Sequence, residues 1–409
     1  MKSKKIIVLT CILAVVCVLM TSCFPLDLAS TTTAPTTTTA PTTTVNGTGG
    51  NITNNIIING SGSNIVYAVN NALRSAVSIF CIFDKTNSSA GSGVIYKINE
   101  EGDAFIITNY HVVYESGVWP STEGKISDDI NVYLYGMENA DYGIPATYVG
   151  GSMNYDIAIL RVEDNEILKE AYANGTVAQA QFTDSDKIVV GQTAIAIGNP
   201  QSYGISATSG IVSVDSEYID MTASDGVTTM TFRVIRTDTA VNSGNSGGGL
   251  FDAEGKLIGI VNAKIISSNV ENIGYAIPSN VARAIADNII DYCFGKECKT
   301  VMRGLLGVTV ITDKMYTTYD PETGVMERLE DIAIYSISEG SLGAGIYKVG
   351  DIVKSVTVGG KTVNITRQYH LIDTMLDVRV GDEVSFEIIR DGVTMTVSTV
   401  ITENCLAAY

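Results

Sequence analysis

The chain has 409 residues, enough for two or three domains. It carries 26 lysines and arginines against 44 aspartates and glutamates, a formal net charge of -18. With no basic stripe to track a phosphate backbone, the composition argues against a nucleic-acid partner.

The first 22 residues read as an export signal. Lys2, Lys4 and Lys5 precede the apolar run from Ile6 to Met20, and the small residues Thr21 and Ser22 lead into Cys23. The run resembles a bacterial lipoprotein signal, which implies cleavage before Cys23 and a lipid on that residue. At about 15 apolar residues it is short for a membrane span of roughly 20. An uncleaved anchor and a plain secretory signal are the alternatives, and all three place the rest of the chain outside the cytoplasm. Residues 29–48 are almost only Thr, Pro, Ala and Ser, and Asn and Gly extend the bias to about residue 63. Such a composition cannot bury a core, so 23–64 reads as a disordered tether between membrane and folded domain.

From about residue 65 the chain becomes a string of short apolar runs, among them Val77–Phe83, Ala104–Thr108, Asn131–Tyr135, Asp156–Val162, Ile188–Ile197, Thr231–Arg236 and Lys256–Ala263. Gly, Asn, Asp and Ser punctuate them, the pattern of an all-β barrel or sandwich. Val281, Ile285, Ile289 and Tyr292 then recur at helical spacing, so one helix closes a unit spanning 65–298. A second unit, 299–409, alternates strands with one helix near Arg367–Leu376. Glu383–Arg390 and Val393–Val400 flank Asp391-Gly392, a hairpin signal. No internal repeat is visible. Of seven cysteines, Cys81, Cys293, Cys298 and Cys405 remain once Cys11 and Cys17 of the signal and the lipid candidate Cys23 are set aside, and Cys293 and Cys298 are close enough to bridge around Gly295. No Cys/His cluster has zinc spacing, and neither metal nor cofactor is expected.

The richest stretch is Gly244-Asn245-Ser246-Gly247-Gly248-Gly249, a serine on a turn built to present a hydroxyl and a row of backbone N–H groups. A serine needs a base, and the base needs an acid to fix its tautomer. Of the two histidines, His111 follows a strand in Thr108-Asn109-Tyr110-His111-Val112-Val113, and His370 lies on the helix of the second unit. Asp156 opens the apolar strand Ile157–Val162 and needs partners if buried. The chain order is therefore His, Asp, Ser.

Together with Ile197-Gly198-Asn199-Pro200, Thr208–Ser213, Thr237–Gly248 and Asn272–Pro278, these stretches resemble the HtrA (DegP/DegS-like) serine proteases of the chymotrypsin fold. The resemblance implies a double β-barrel with His111 as general base, Asp156 as its orienter and Ser246 as nucleophile. It implies an oxyanion hole made of the Gly244 and Ser246 N–H groups. It places Ala240 at the base of the primary pocket, which disfavours basic side chains before the cleaved bond, and Asn262, Ala263 and Lys264 on the edge that pairs with substrate. Residues 301–400 resemble an HtrA-type PDZ domain, in which the loop Gly304-Leu305-Leu306-Gly307 would cap the carboxylate of a C-terminal peptide ligand and His370 would sit on the outer helix face. The expected enzyme is a lipid-anchored, extracytoplasmic serine endopeptidase acting on unfolded or damaged exported proteins, with a homotrimer as its expected assembly. A client-binding holdase with minor proteolysis is the alternative. Three departures from the family stand out. The segment Val214–Met230, read as a loop, contains no Arg or Lys and puts Glu217 near the place of a regulatory arginine. Ser243 and Gly249 replace residues that are usually proline, or proline or alanine, and imply a looser turn around Ser246.

Overall fold

The computed structural model describes residues 63–117, 124–263, 273–296 and 300–409, which belong to one compact unit. The signal, Cys23, almost all of the tether, Lys264 and Cys298 lie outside the described residues. Cys293 is disulfide-bonded, while Cys81 and Cys405 are free.

A short helix, α1 (Ser63–Leu73), precedes the strands. β1 (Ala76–Ile82), β2 (Ser88–Ile98), β3 (Ala104–Thr108), β4 (Asp129–Leu134), β5 (Ile144–Ser152) and β6 (Ile157–Val162) close into a barrel of order β1-β2-β3-β6-β5-β4. β4 shows why: Ile130, Val132 and Leu134 point inward while Asp129, Asn131 and Tyr133 alternate outward, the period-two pattern of a half-buried strand. One helical turn, α2 (Tyr110–Val113), follows β3, and α3 (Glu166–Ala173) follows β6 with Asn165 capping it by accepting from the Ile167 and Leu168 N–H groups.

β7 (Thr193–Gly198), β8 (Ser206–Thr222), β9 (Thr229–Thr237), β10 (Gly249–Phe251), β11 (Leu257–Val261) and β12 (Gly274–Pro278) close a second barrel. Read round the ring its order is β7-β8-β9-β12-β11-β10, the topology of the first barrel repeated without repeated sequence. The expected strand over 188–197 begins only at Thr193, because 189–192 turn instead, Gln192 N–H donating to Val189 O. The segment Val214–Met230 is not a loop. β8 and β9 pair through Thr222 and Thr229, leaving only 223–228 as the turn, and Glu217 pairs with Arg236 at 3.4 Å.

α4 (Ser279–Cys293) lies across both barrels, burying Val281, Ile285 and Ile289 in a core shared with Ile157 and Ile159 of β6 and Ile260 of β11. Its buried Asn288 then reaches onward, donating to Met302 O at 2.6 Å and Leu376 O at 3.1 Å and accepting from Met302 N–H at 2.8 Å.

Beyond α4, β13 (Met302–Gly304) is followed by β14 (Val308–Asp320), β15 (Val325–Ile337), β16 (Ile352–Val358) and β17 (Lys361–Asn364), then helix α5 (Gln368–Thr374), β18 (Glu383–Arg390), β19 (Val393–Val400) and β20 (Leu406–Ala408). The main sheet runs β14-β15-β16-β18-β19, with β17 beside β16, and β13 pairs with β20. The β18–β19 hairpin forms as its sequence predicts, Asp391 and Gly392 both taking the positive φ (52° and 79°) of a tight turn.

This sheet is locked to the second barrel by charge. A bulge in β8 between Val214 and Glu217 takes Asp215 and Ser216 out of the regular pairing with β9. Arg233 of β9, only 4% exposed, donates to Ser216 Oγ at 2.9 Å, meets Asp373 of α5 at 2.7 Å and Asp186 at 2.8 Å, and stacks 3.4 Å from the Tyr369 ring centroid. Arg367 meets Asp215 at 3.0 Å. His370 is therefore not on an open outer face. It is half-buried beside this network, and its Nδ1 accepts from the Thr366 and Arg367 N–H groups at 3.3 Å.

Removing one partner of a buried ion pair strands the other. Arg233→Ala is expected to lower the unfolding free energy by about 3–5 kcal/mol in urea denaturation, and adding Asp373→Asn to recover part of that loss.

Burial pulls the His370 imidazole down to about 4, with Asp186 opposing and Arg233 and Arg367 adding to the shift. The unfolded chain takes up this proton below about pH 6.5 while the folded chain does not until about 4, so His370 destabilises the fold as pH falls through that window. His370→Gln should flatten the drop in Tm between pH 7 and pH 5 relative to the unmodified chain.

Candidate active site

The site is organised around a carboxylate without water. Asp156 is 0% exposed and sits at the start of β6 with φ 51°, a left-handed conformation uncommon for a non-glycine residue. Its Oδ1 accepts from the His111 N–H at 3.0 Å, and its Oδ2 lies 2.6 Å from His111 Nδ1. A third donor, Asn262 Nδ2, reaches Oδ2 at 2.8 Å, and Asn109 Nδ2 holds the Asp156 carbonyl at 2.9 Å. A carboxylate accepts only, so Nδ1 carries the proton of this contact and the unprotonated Nε2 is free to act as a base. The Asn109 and Asn262 contacts are not apparent in the sequence. Asn109 lies two residues before His111, whereas the sequence resemblance places Asn262 on the substrate edge. Its backbone N–H donates to Tyr275 O and its side chain to the acid, so Asn262 supports Asp156.

The serine loop folds against the first barrel. Ser92, a fully buried residue of β2 with no distinguishing sequence signal, donates its hydroxyl to Gly244 O at 2.7 Å and accepts from Asn199 N–H at 2.8 Å, while its own N–H donates to Ser246 O at 2.8 Å. A methyl group on Gly247 would lie 2.2 Å from Ser92 O and 3.0 Å from the Asn109 N, so the loop presses on the residues that lead into His111. Ser246 Oγ accepts from the Ala263 N–H at 3.2 Å, its one hydrogen bond among the described residues. The Asn245 N–H donates to Asn242 O, whereas among the described residues the N–H groups of Gly244 and Ser246 donate to no protein acceptor. Two unpaired donors flanking a buried hydroxyl are what a developing oxyanion needs.

Gly244 takes φ 96°, and a Cβ there would meet Asn199 O at 2.3 Å. The turn is tighter than its sequence suggested. Gly249 pairs with both Ile260 and Ile197, and the Phe251 ring fills the space a side chain would need. Ser243 O accepts from the Gln201 N–H at 2.9 Å. Ala240 is exposed, and its carbonyl accepts from Thr208 Oγ1 at 2.9 Å.

In the C-terminal sheet the segment 304–307 is more committed than expected. The Gly304 N–H donates to Met375 O and the Leu305 N–H to Cys405 O, so neither is available to a carboxylate. Leu305 is exposed, Leu306 buried, and Gly307 takes φ 68° with Ser341 packed against it.

The comparisons agree on one group of proteins. Residues 91–260 match the domain family described as "Trypsin-like peptidase domain". The protein "Serine protease Do-like HtrA" of Lactococcus lactis subsp. cremoris is 32% identical over 328 residues, covering 78% of this chain and 72% of that protein. Its namesake in Bacillus subtilis is 34% identical over 76% of this chain, which spans 63% of that relative's length. A solved structure, "HtrA-type protease AlgW with tripeptide", superposes with a TM-score of 0.53 at 26% identity, covering 84% of this chain and 98% of that one.

Gly244→Ala is expected to lower Tm by several degrees, since the new Cβ is strained and faces backbone, at about 1–3 kcal/mol. Gly345→Ala, whose Cβ meets nothing within 4 Å, should leave Tm unchanged in the same calorimetric scan.

Proposed function

The chain belongs to the HtrA family of serine proteases, and from that premise we propose that it is a membrane-tethered extracytoplasmic endopeptidase that cleaves unfolded or damaged exported proteins with His111, Asp156 and Ser246. The carrying observation is the 2.6 Å contact between His111 Nδ1 and the buried Asp156 carboxylate, beside a serine flanked by two unpaired N–H groups.

His111 Nε2 takes the Ser246 hydroxyl proton as Oγ attacks the scissile carbonyl, and Asp156 stabilises the imidazolium that forms. The negative charge on the substrate oxygen is met by the Gly244 and Ser246 N–H groups, a donor of this kind contributing roughly 3 kcal/mol. Collapse releases the amine, which leaves with the proton from Nε2, and the acyl group stays on Oγ. Water then attacks the acyl carbon as Nε2 takes its proton, the bond from that carbon to Oγ breaks as Nε2 returns the proton to Oγ, and the acid departs. In the free enzyme Ser246 Oγ is held by Ala263, so the bond to Nε2 is left to form when substrate docks.

The remaining parts of the reading follow the same family. Residues 65–298 would be the protease domain and 299–409 a PDZ-like domain, whose ligand loop has the Leu306 and Gly307 N–H groups left for a C-terminal carboxylate. Cys23 would carry the lipid, residues 24–64 would be the tether, and the assembly would be a homotrimer. Ala240 and the 262–264 edge would favour a small or medium aliphatic side chain before the cleaved bond.

The full-length chain in detergent should cleave unfolded casein, and Ser246→Ala and His111→Ala should each lower the rate by about 10⁶, the double variant being no slower than either. Casein that is bound but never cut, with or without C-terminal peptides, would sink the proteolytic reading and leave the holdase.

A further inference from the structure

We propose that Ser224, at the tip of the β8–β9 hairpin, is a specificity residue for the leaving half of the substrate, selecting a hydrogen-bonding side chain just after the cleaved bond. The inference rests on the proteolytic reading above and extends it.

A cavity of about 490 Å³ opens beside His111. Its walls are Phe83 and the start of β2 on one side, Tyr114 and Glu115 beyond α2 on another, and Ser224 on a third. None of residues 240–248 or 262–263, which would hold the acyl half, reaches it. The base that activates Ser246 later hands its proton to the departing amine, so a chain occupying this cavity is the half that leaves.

The polar side chains of the wall differ in what remains free. Thr86 Oγ1 donates to Asp84 Oδ1, Asn87 Nδ2 to Asp84 Oδ2, and the Ser89 hydroxyl to Val112 O. Ser88 and Ser116 are open to solvent. Among the described residues of the wall, Ser224 alone is 9% exposed with a buried hydroxyl that has no partner among the described residues. Its position is fixed, because the next residue locks the turn. Asp225 Oδ1 accepts from the Val227 and Thr228 N–H groups at 2.9 Å, and the Ala223 N–H donates to Thr228 O at 2.7 Å. A buried hydroxyl without a partner is expensive to keep, and a substrate group that supplies the bond removes that penalty. A site of this kind rejects an isostere lacking the polar atom far better than it tells two apolar side chains apart.

The test uses two peptides that differ only in Thr or Val at the first and second positions after the cleaved bond. With the full chain, kcat/KM should favour Thr by about tenfold, and Ser224→Ala should bring the ratio close to one. Labelling of Ser246 by a fluorophosphonate, which needs no leaving residue, checks that the variant's site is assembled. Should it not label, cleavage-site mapping of the unmodified chain on a random peptide library decides the matter. Enrichment of Ser, Thr, Asn and Gln on the leaving side supports the subsite, and a flat profile overturns it. Equal rates for Thr and Val, or a preference that survives Ser224→Ala, also overturn it and leave the cavity to water. Failure of the unmodified chain to cut either peptide overturns the proteolytic reading itself, and the subsite with it.

Discussion

A carboxylate sealed from water sets the architecture of this site. Taking Asp156 to 0% exposure carries a desolvation penalty that only several well-aligned donors can offset. Those donors come from separate places: the backbone and ring of His111 on α2 and the side chain of Asn262 just after β11. Asn109 adds a bond to the carbonyl. The acid is therefore a node at which an element of the first barrel and one of the second must both be in place. The left-handed backbone of Asp156 is tolerable only because that node over-determines it.

The serine loop obeys the same logic from the other side. Ser92 of the first barrel takes up the carbonyls of both Gly244 and Ser246, while their N–H groups have no protein partner among the described residues. Two barrels of one topology thus meet at this site, one carrying His111 and Asp156, the other Ser246. Neither half is complete until they pack, and α4 helps to join them by burying its apolar face against both.

The C-terminal sheet is coupled to this assembly through polar groups as well as apolar ones, Leu376 sharing the core around α4 and the Tyr409 ring lying 5.3 Å from that of Tyr155. Arg233 is buried with its charge matched by Asp373 and Asp186, and the bulge at Asp215 and Ser216 exists where these bonds need it. Such pairs add less stability than specificity of docking, since their attraction is largely offset by desolvation. They join α5 to the stem of the hairpin whose far end carries Ser224, so the two ends of β8 and β9 serve different surfaces of the molecule.

Much of this was legible in the residues alone. Short apolar runs between turn residues announced the strands, Asp391-Gly392 the last hairpin, and the order of His111, Asp156 and Ser246 with their flanking stretches the family, because strand-forming runs and turn chemistry are local. What the sequence could not carry was long-range. The contact of the Asn262 side chain was hidden because nothing nearby marks a side chain that reaches a carboxylate over a hundred positions away. Val214–Met230 looked like a loop because it is polar taken by itself, and its first half becomes a strand only through its register against β9. Gly249 looked like looseness until the Phe251 ring filled its space. Ser92 and Ser224 carried no signal at all. A hydroxyl's role depends on which acceptors and donors surround it, and only the packing of the two barrels decided that.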